Sequence, residues 1–265
     1  MKLRSKRAFV TGAGRGIGRG IAVELAKAGA SVWVNDYQDN DDVAETIGLC
    51  QDAGGEAAAA IADVADRAAM KDLISRLAGD GGIDIAVSNA AYSDRFLMLE
   101  QDEAEFDRTI AVSLMGAYHT VRYAAAAMVD AGRGGSIVMI SSPHAHLPIP
   151  GAVAYNIAKA GCDQLANTAA CELAGHKIRV NTIHPGWIDT PGERKFFTEE
   201  AIADGRNKIP LGRLGTPAEI GRGVVFLCDP ESSYMTGSTL TIDGGIQLPY
   251  EEMYRIEQAR RQGGG

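Results

Sequence analysis

The sequence predicts one α/β domain whose core is a doubly wound parallel sheet of seven strands. Short β-branched runs alternate with longer Ala-rich stretches along all 265 residues. Two of the runs, IDIAVS at 83–88 and SIVMIS at 136–141, are largely apolar, as expected for strands that helices cover on both faces. Neither an internal repeat nor a Pro- or Ser-rich linker divides the chain, so the repeated alternation favours a single sheet with helices on both sides.

The individual elements follow from the same alternation. The β-branched runs predict strands at 7–11, 31–36, 57–62, 83–88, 135–141, 178–184 and 238–242. The Ala-rich stretches predict helices at 16–28, 41–53, 66–79, 102–131, 153–174 and 217–228. Because ligands of such sheets lie beyond the carboxyl ends of the strands, the residues that follow each strand are the first candidates for a functional site.

The composition excludes several classes of partner. The net charge is −8 and basic residues form no long block, which argues against a nucleic-acid partner. No apolar run approaches the roughly 20 residues that span a bilayer, and the basic start at 2–7 lacks the apolar region of a signal peptide. The four cysteines lack CxxC spacing, which favours reduced thiols and a cytoplasmic location.

A glycine-rich turn follows the first predicted strand. In RAFVTGAGRGIGRG, the glycines Gly12, Gly14, Gly16 and Gly18 permit a tight turn and a close approach of backbone N–H groups to a pyrophosphate. The helix that begins near Gly16 then presents its positive end to the same group. Ile17 stands where a GxGxxG pattern from Gly12 would have its last glycine, and an ordinary glycine-rich turn is the alternative.

An acidic residue ends the second predicted strand. Asp36 can accept hydrogen bonds from the adenosine ribose hydroxyls and repel a 2′-phosphate, so NAD is favoured over NADP. Arg15 is the nearby cation that would suit the phosphate, but it would face Asp36. The alternative is that Asp36 simply begins the acidic loop DYQDNDD.

The third and fourth strand ends offer further cofactor contacts. Asp63 can accept from an adenine amine while Val64 offers its backbone, although Asp63 can equally cap the next helix. In SNAA at 88–91, the small residues Ala90 and Ala91 let a cofactor lie against the backbone, and Asn89 is better suited to organise the sheet than to catalyse.

The stretch AYNIAKAG places Tyr155 and Lys159 on one face of a predicted helix. Together with TGAGRGIG at 11–18 and TGSTLTIDGG at 236–245, this YxxxK pattern resembles the short-chain dehydrogenase/reductase family over nearly the whole chain. The resemblance implies a Rossmann-like fold with seven parallel strands, in agreement with the element count. It also implies a dinucleotide-binding and catalytic domain over 1–245, a C-terminal tail over 246–265, and a homotetramer assembled through the two long helices.

The family's catalytic pattern adds a serine before the tyrosine. Ser142 has the matching spacing, so the resemblance implies that Tyr155 is the general acid/base, that Ser142 holds the substrate oxygen, and that Lys159 binds the nicotinamide ribose. A nearby ammonium favours a phenolate, which would let the tyrosine exchange protons near neutral pH. A solvated tyrosine–lysine pair on an exposed helix face is the alternative.

The chain departs from the family pattern at two positions. Ser113 replaces an asparagine whose family role is to hold a water that relays protons from the lysine. A serine can still donate to and accept from water, so we expect a relay with altered geometry; a weakened activity is the rival expectation. The second departure is Ala91, which replaces a glycine close to the cofactor.

The loop after the sixth strand, HPGWIDTPGERKFF, completes the predicted site. Pro185 and Gly186 shape the turn. The resemblance implies that the Ile188 backbone contacts the nicotinamide carboxamide and that Thr190 hydrogen-bonds the carboxamide or the phosphates. The segment 190–212 is predicted to be a substrate lid. Trp187 is a candidate for the pocket lining, as are Phe196 and Phe197, although such aromatics more often belong to a core.

The substrate class is the least specific inference. His144 is predicted to line the pocket; no third ligand lies near the pair His144 and His146, so no metal is expected. The loop SSPHAHLPIPG and the ending LTIDGGIQLP resemble those of sugar and polyol dehydrogenases, including those acting on glucose. The alternatives are a 3-oxoacyl reductase, a reductase of cyclic ketones or steroids, and a non-catalytic NAD(H)-binding regulator.

Overall fold

The computed structural model describes residues 2–196, 198–248 and 260. The strands are β1 (Arg7–Val10), β2 (Ser31–Val34), β3 (Ala57–Ala59), β4 (Ile85–Ser88), β5 (Gly135–Ile140), β6 (Ile178–Pro185) and β7 (Thr239–Ile242). They form a seven-stranded sheet in the order β3-β2-β1-β4-β5-β6-β7, and every neighbouring pair is parallel. The predicted fold class is therefore confirmed. Most of the predicted tail over 246–265 and Phe197 lie outside the described residues.

The helices differ from the prediction in two places. They are α1 (Gly16–Lys27), α2 (Asp41–Asp52), α3 (Arg67–Gly79), α4 (Glu103–Thr109), α5 (Gly116–Ala131), α6 (Val153–Leu173), α7 (Glu199–Arg206) and α8 (Pro217–Cys228). The single helix predicted over 102–131 is α4, a π-helical segment at Ile110–Met115 and α5. The predicted lid contains the short helix α7, whose first turn is capped because the Thr198 side chain accepts from the Ala201 N–H.

Alternating side chains of the strands bury both faces of the sheet. In β1, Ala8 and Val10 point into the core beneath α1 and α8, whereas Phe9 points into the core on the side of α3 and α5. All three side chains are fully buried. This two-sided burial explains why β4 and β5 are apolar without alternation.

Helices α1 and α8 pack closely against each other at two glycines. A Cβ on Gly20 would lie 2.5 Å from the Pro217 backbone, and a Cβ on Gly221 would lie 2.7 Å from the Gly20 carbonyl oxygen. The two glycines therefore allow a contact that any larger residue would push apart. The N-terminus of α1 is thereby held at the carboxyl end of β1.

The chain reverses its direction across the sheet between β1 and β4. From β1 it proceeds to β2 and β3 on one side, and then continues from β4 to β7 on the other. A crevice opens at such a switch point, beyond the carboxyl ends of the strands. The segments that follow β1, β4 and β5 all reach this crevice.

Candidate active site

The turn after β1 lies directly against the segment after β4. Gly12 has φ +60°, and a Cβ there would lie 2.8 Å from Ala90 Cα. A Cβ on Gly18 would overlap the carbonyl oxygen of Gly12. Only glycines fit these two positions, which leaves the backbone of the turn open to a close ligand.

Hydrogen bonds fasten this turn to β4. The Asn89 side chain donates to the carbonyl oxygens of Thr11 (2.9 Å) and Gly12 (3.1 Å). The Thr11 hydroxyl accepts from the backbone N–H groups of Asn89 and Ala90. Asn89 therefore organises the turn, and the contacts of Asn89, Ala90 and the exposed Ala91 with a cofactor stay predictions.

The N-terminus of α1 has backbone donors available for an anion. Arg15 is the N-cap residue, and its exposed side chain makes no capping hydrogen bond. Gly16 faces Thr190, with 3.6 Å between a Cβ placed on the glycine and the threonine Cβ. Ile17 is half-buried against the core. The glycine turn and the uncapped helix end together fit the pyrophosphate of a dinucleotide.

Asp36 lies two residues beyond β2, beside the glycine turn. Its carboxylate accepts from the Tyr37 N–H at 2.8 Å, and a Cβ on Gly14 would lie 2.5 Å from Oδ2. Burial raises the pKa of Asp36 above its ordinary value, although hydrogen bonds from Tyr37 and Gly14 and the charge of Arg15 oppose the rise. The carboxylate is therefore at the place where an adenosine ribose would fit a dinucleotide on this turn.

Asp63 and Val64, the two cofactor contacts predicted after β3, have different surroundings in the structure. Asp63 is exposed and its carboxylate accepts from the Ala65 N–H, but the N-cap of α3 is Asp66. The alternative role of Asp63 as the helix cap is therefore wrong. Val64 is buried, and its carbonyl oxygen binds the His119 ring at 2.9 Å.

Tyr155 and Lys159 lie one turn apart on α6 beside the end of β5. The ammonium of Lys159 is 5.3 Å from the centroid of the Tyr155 ring and donates to the Ile140 carbonyl oxygen at 2.8 Å. Lys159 is 3% exposed, so this is no solvated surface pair. Within the described residues, the Tyr155 hydroxyl has no hydrogen-bond partner and remains available to a ligand.

Ser142 and His144 adjoin the tyrosine. The Ser142 hydroxyl accepts from the His144 N–H at 3.3 Å, which leaves its own hydrogen free to donate. The rings of His144 and Tyr155 meet edge to face, with centroids 5.2 Å apart. The structure therefore brings together three of the four predicted catalytic residues, Ser142, Tyr155 and Lys159, with the predicted pocket histidine.

Asn156 fixes the protonation pattern of His144. The Asn156 amide donates to the Ile149 carbonyl oxygen at 3.0 Å, so its own oxygen faces His144 Nδ1 at 2.7 Å. Nδ1 then carries the hydrogen and Nε2 is an acceptor, an assignment that follows from this network. Burial lowers the pKa of His144, and the charges of Arg95 and Lys159 add to that effect.

Ser113 occupies the π-helical segment and is buried. Its hydroxyl donates to the Tyr92 carbonyl oxygen (2.7 Å) and accepts from the Tyr92 N–H (2.8 Å). Its carbonyl oxygen accepts from the Cys162 thiol. The hydroxyl therefore anchors the segment after β4, and its role in a proton relay stays a prediction.

The loop after β6 runs from the sheet into the lid. Pro185 is the last residue of β6, and a Cβ on Gly186 would lie 2.5 Å from Asp243 Cα. Ile188 is buried and pairs with Gly215. The Thr190 hydroxyl accepts from the Glu193 N–H at 3.2 Å, so it shapes the start of the lid.

Trp187 packs its ring into a small core of the lid. The ring lies against Gly205, and Ile202, Ile209 and Leu214 complete this cluster. The tryptophan also hydrogen-bonds the carboxyl group of Glu193. Substrate contact by Trp187 stays a prediction, and the structure gives the residue a packing role as well.

Sequence reasoning missed three polar side chains around the crevice: Arg95, Asn156 and Glu193. Asn156 is adjacent to the catalytic tyrosine, a position that could have drawn attention to it. Arg95 lies in an irregular segment and Glu193 begins a single 3₁₀ turn, and no periodic pattern predicts the side-chain direction of either residue. Among the described residues, no group of three or more His, Cys, Asp or Glu side chains is arranged to hold a metal.

Comparisons with known proteins agree with this geometry. A family model described as enoyl-(acyl carrier protein) reductase matches residues 12–247. The 3-oxoacyl-[acyl-carrier-protein] reductase FabG of Thermotoga maritima is 36% identical over 252 residues, covering 94% of this chain and 100% of the relative. The chain belongs to the short-chain dehydrogenase/reductase family. It is therefore an oxidoreductase of the class that acts on hydroxyl and keto groups.

Solved structures of family members superimpose closely. A short-chain type dehydrogenase/reductase from Mycobacterium marinum is 37% identical with a TM-score of 0.88, covering 94% of this chain and 98% of that one. A protein assigned as a 2-deoxy-D-gluconate 3-dehydrogenase from Agrobacterium tumefaciens is 33% identical with a TM-score of 0.86, covering 93% and 98%, and has NADP bound. No helix in the described part of the chain is both long and apolar enough to cross a membrane.

Proposed function

We propose that this family member uses NAD to interconvert a secondary alcohol of a sugar or polyol and the corresponding carbonyl compound. The observation that carries the proposal is the Tyr155 ring, which lies near the buried Lys159 ammonium and against the His144 ring, and whose hydroxyl binds no other group of the described residues. A ligand oxygen placed there would meet both a proton acceptor and a hydrogen-bond donor. The glycine turn lies beside it at the same switch point of the sheet.

Each residue of the site has a separate role in the proposed reaction. A bound nicotinamide dinucleotide supplies the hydride chemistry, and the glycine turn with the N-terminus of α1 would hold its pyrophosphate. During oxidation, Tyr155 accepts the alcohol proton while the alcohol carbon loses a hydride; Ser142 donates a hydrogen bond to the same oxygen. During reduction, Tyr155 returns the proton. Lys159 would hold the nicotinamide ribose.

Asp36 supports NAD over NADP. Its carboxylate suits two ribose hydroxyls, whereas a 2′-phosphate would lie against a negative charge. Polar acceptors at His144 Nε2 and at the Glu193 carboxyl favour a substrate with several hydroxyl groups. We also propose that the active form is a homotetramer that binds only small-molecule substrates.

Reduction of 3-oxoacyl groups is the second candidate, because the T. maritima relative carries that name. A non-catalytic NAD(H)-binding regulator is the candidate from another class. These three can be separated by following NADH formation and consumption with sugars, polyols, cyclic alcohols and hydroxyacyl esters, with NAD⁺ and NADP⁺ in parallel.

Tyr155→Phe is the decisive variant for the enzymatic proposal. Loss of the phenol removes the proton acceptor, so we expect kcat to fall about 10³-fold while NADH binding persists. Tyr234→Phe, which alters a fully exposed tyrosine, is the matched control and should retain activity. Full activity of Tyr155→Phe would reject the mechanism, and NADH binding without turnover of any substrate would favour the regulator.

A further inference from the structure

We propose that Arg95 binds an anionic group of the substrate, so that the enzyme selects a hydroxy acid over a neutral sugar or polyol. The inference rests on the proposed function, because it assigns the substrate class of the same crevice. The observation behind it is that Arg95 is half-buried, faces the site and forms no ion pair with any described residue.

Backbone contacts place Arg95 beside the catalytic helix. The next residue, Phe96, forms an isolated β-bridge with Ala152 and donates its N–H to the Gly151 carbonyl oxygen at 3.1 Å. Ala152 is the N-cap of α6, three residues before Tyr155. The segment that carries Arg95 is therefore fixed to the start of the helix that carries the acid/base.

The side chain of Arg95 reaches between the catalytic loop and the lid. Its guanidinium carbon lies 5.5 Å from the centroid of the Phe196 ring in the lid. It also lies close enough to His144 and Glu193 to act on the charge of both. Since His144 contacts Tyr155, the guanidinium lies along the wall of the crevice in which the alcohol would bind.

Two arginines in or next to the lid pair with carboxylates, whereas Arg95 forms no such pair within the described residues. Arg194 binds Asp189 and Glu199, and Arg213 binds Glu219. In the described part of the chain, the guanidinium of Arg95 makes no ion pair and no hydrogen bond. The adjacent Asp94 does not neutralise it: that carboxylate accepts from the Arg95 backbone N–H instead.

The charge of Arg95 reaches the carboxyl group of Glu193, but within the described residues the two groups form no ion pair. Burial raises the pKa of the Glu193 carboxyl, and a hydrogen bond with Trp187 uses part of its accepting capacity. The guanidinium and the carboxyl group therefore lie too far apart for a direct ion pair, and each keeps capacity to bind a ligand.

A carboxylate is the ligand chemistry that fits this arrangement. Guanidinium groups present paired N–H donors that match two oxygens of a carboxylate or phosphate. Partial burial reduces solvent screening and strengthens the attraction. With the carboxylate at Arg95, His144 Nε2 and Glu193 remain as acceptors for substrate hydroxyls. The recognised molecule is then a polyhydroxy acid, and a sugar phosphate offers the same oxyanion chemistry.

The test compares gluconate, glucose 6-phosphate and glucose as ligands. Binding is measured by calorimetry with the protein alone and with its NADH complex, in which oxidation cannot proceed, and kcat/KM is measured with NAD⁺. We expect the wild-type protein to bind gluconate at least tenfold more tightly than glucose. Arg95→Met should reduce gluconate binding and kcat/KM about 100-fold with less than threefold change for glucose, and Arg95→Lys should recover part of the loss.

Arg108→Met is the matched control, since it removes an exposed arginine that lies over the Tyr92 ring outside the crevice. It should leave the preference for gluconate unchanged. A stronger effect on glucose 6-phosphate than on gluconate would identify a phosphate as the anion. Equal losses for gluconate and glucose in Arg95→Met, or no anion preference in the wild-type protein, would overturn the proposal. Because the calorimetric result does not require turnover, failure of the enzymatic mechanism would appear separately, as anion binding without NADH formation.

Discussion

The glycine turn after β1 and the crevice wall formed by Arg95, His144 and Glu193 use their polar groups in opposite ways. In the turn, the side chains of Asn89 and Thr11 are hydrogen-bonded to backbone groups of the protein. Only backbone N–H groups of the turn then remain available to a ligand. In the wall, Arg95 has no hydrogen-bond acceptor among the described residues, and His144 Nε2 remains an acceptor. Under the proposed function, the shape of the turn would recognise the cofactor, whereas individual side chains of the wall would select the substrate.

The largest effect is expected when a side chain is placed in the glycine turn. Gly18→Ala places a methyl group against the carbonyl oxygen of Gly12, so the turn must move away from Ala90. We expect at least a 100-fold loss of NADH affinity, because the backbone donors lose their positions, and destabilisation of about 1–3 kcal/mol from the overlap. Fluorescence titration with NADH and thermal unfolding measure the two effects.

Gly48→Ala is the control for that variant. Gly48 also lies within a helix, but a Cβ there would meet no atom within 4 Å. Alanine should therefore leave NADH binding unchanged and raise helix stability slightly. Equal NADH affinity for both variants would show that the turn does not hold the cofactor.

A medium effect is expected from Asp36→Ala. Removing the carboxylate removes the repulsion of a 2′-phosphate while leaving the shape of the turn, so the preference for NAD⁺ over NADP⁺ should fall by about tenfold to 100-fold. The measurement is the ratio of kcat/KM for the two cofactors. Asp39→Ala, which changes an exposed acid in the same loop, should keep the wild-type ratio. An unchanged ratio in Asp36→Ala would remove the structural argument for NAD.

The smallest effect is expected at Ser113, whose hydroxyl, like the side chains of Asn89 and Thr11, is hydrogen-bonded within the protein. Ser113→Ala should cost about 1 kcal/mol of stability through loss of the Tyr92 hydrogen bonds. If Ser113 also relays protons, kcat should fall about tenfold with an altered pH profile. Ser93→Ala, which changes a serine next to Tyr92 in the segment after β4, serves as the control. Wild-type kcat and pH profile in both Ser113→Ala and Ser113→Asn would exclude a relay.

Sequence reasoning succeeded where one local pattern has one physical meaning. The alternation of strand and helix predicted the sheet, and the YxxxK spacing predicted that Tyr155 and Lys159 share a helix face. It failed where several nearly equal local arrangements exist. The Ala-rich stretch 102–131 reads as one helix, but the π-helical segment interrupts it at Ser113, where the hydroxyl binds the segment after β4.

The linear chain already determined the glycine spacing, the acidic residue after β2 and the order of elements. Each of these depends on backbone conformation or on neighbours a few residues away. Only the tertiary structure determined that the guanidinium of Arg95 has no partner among the described residues, how His144 is oriented and that Glu193 is partly buried. Each of these depends on groups far apart in sequence, such as Arg95 and Phe196, or His144 and Asn156. Local periodicity carries no information on such pairs, since only the packed sheet and its loops determine which side chains meet.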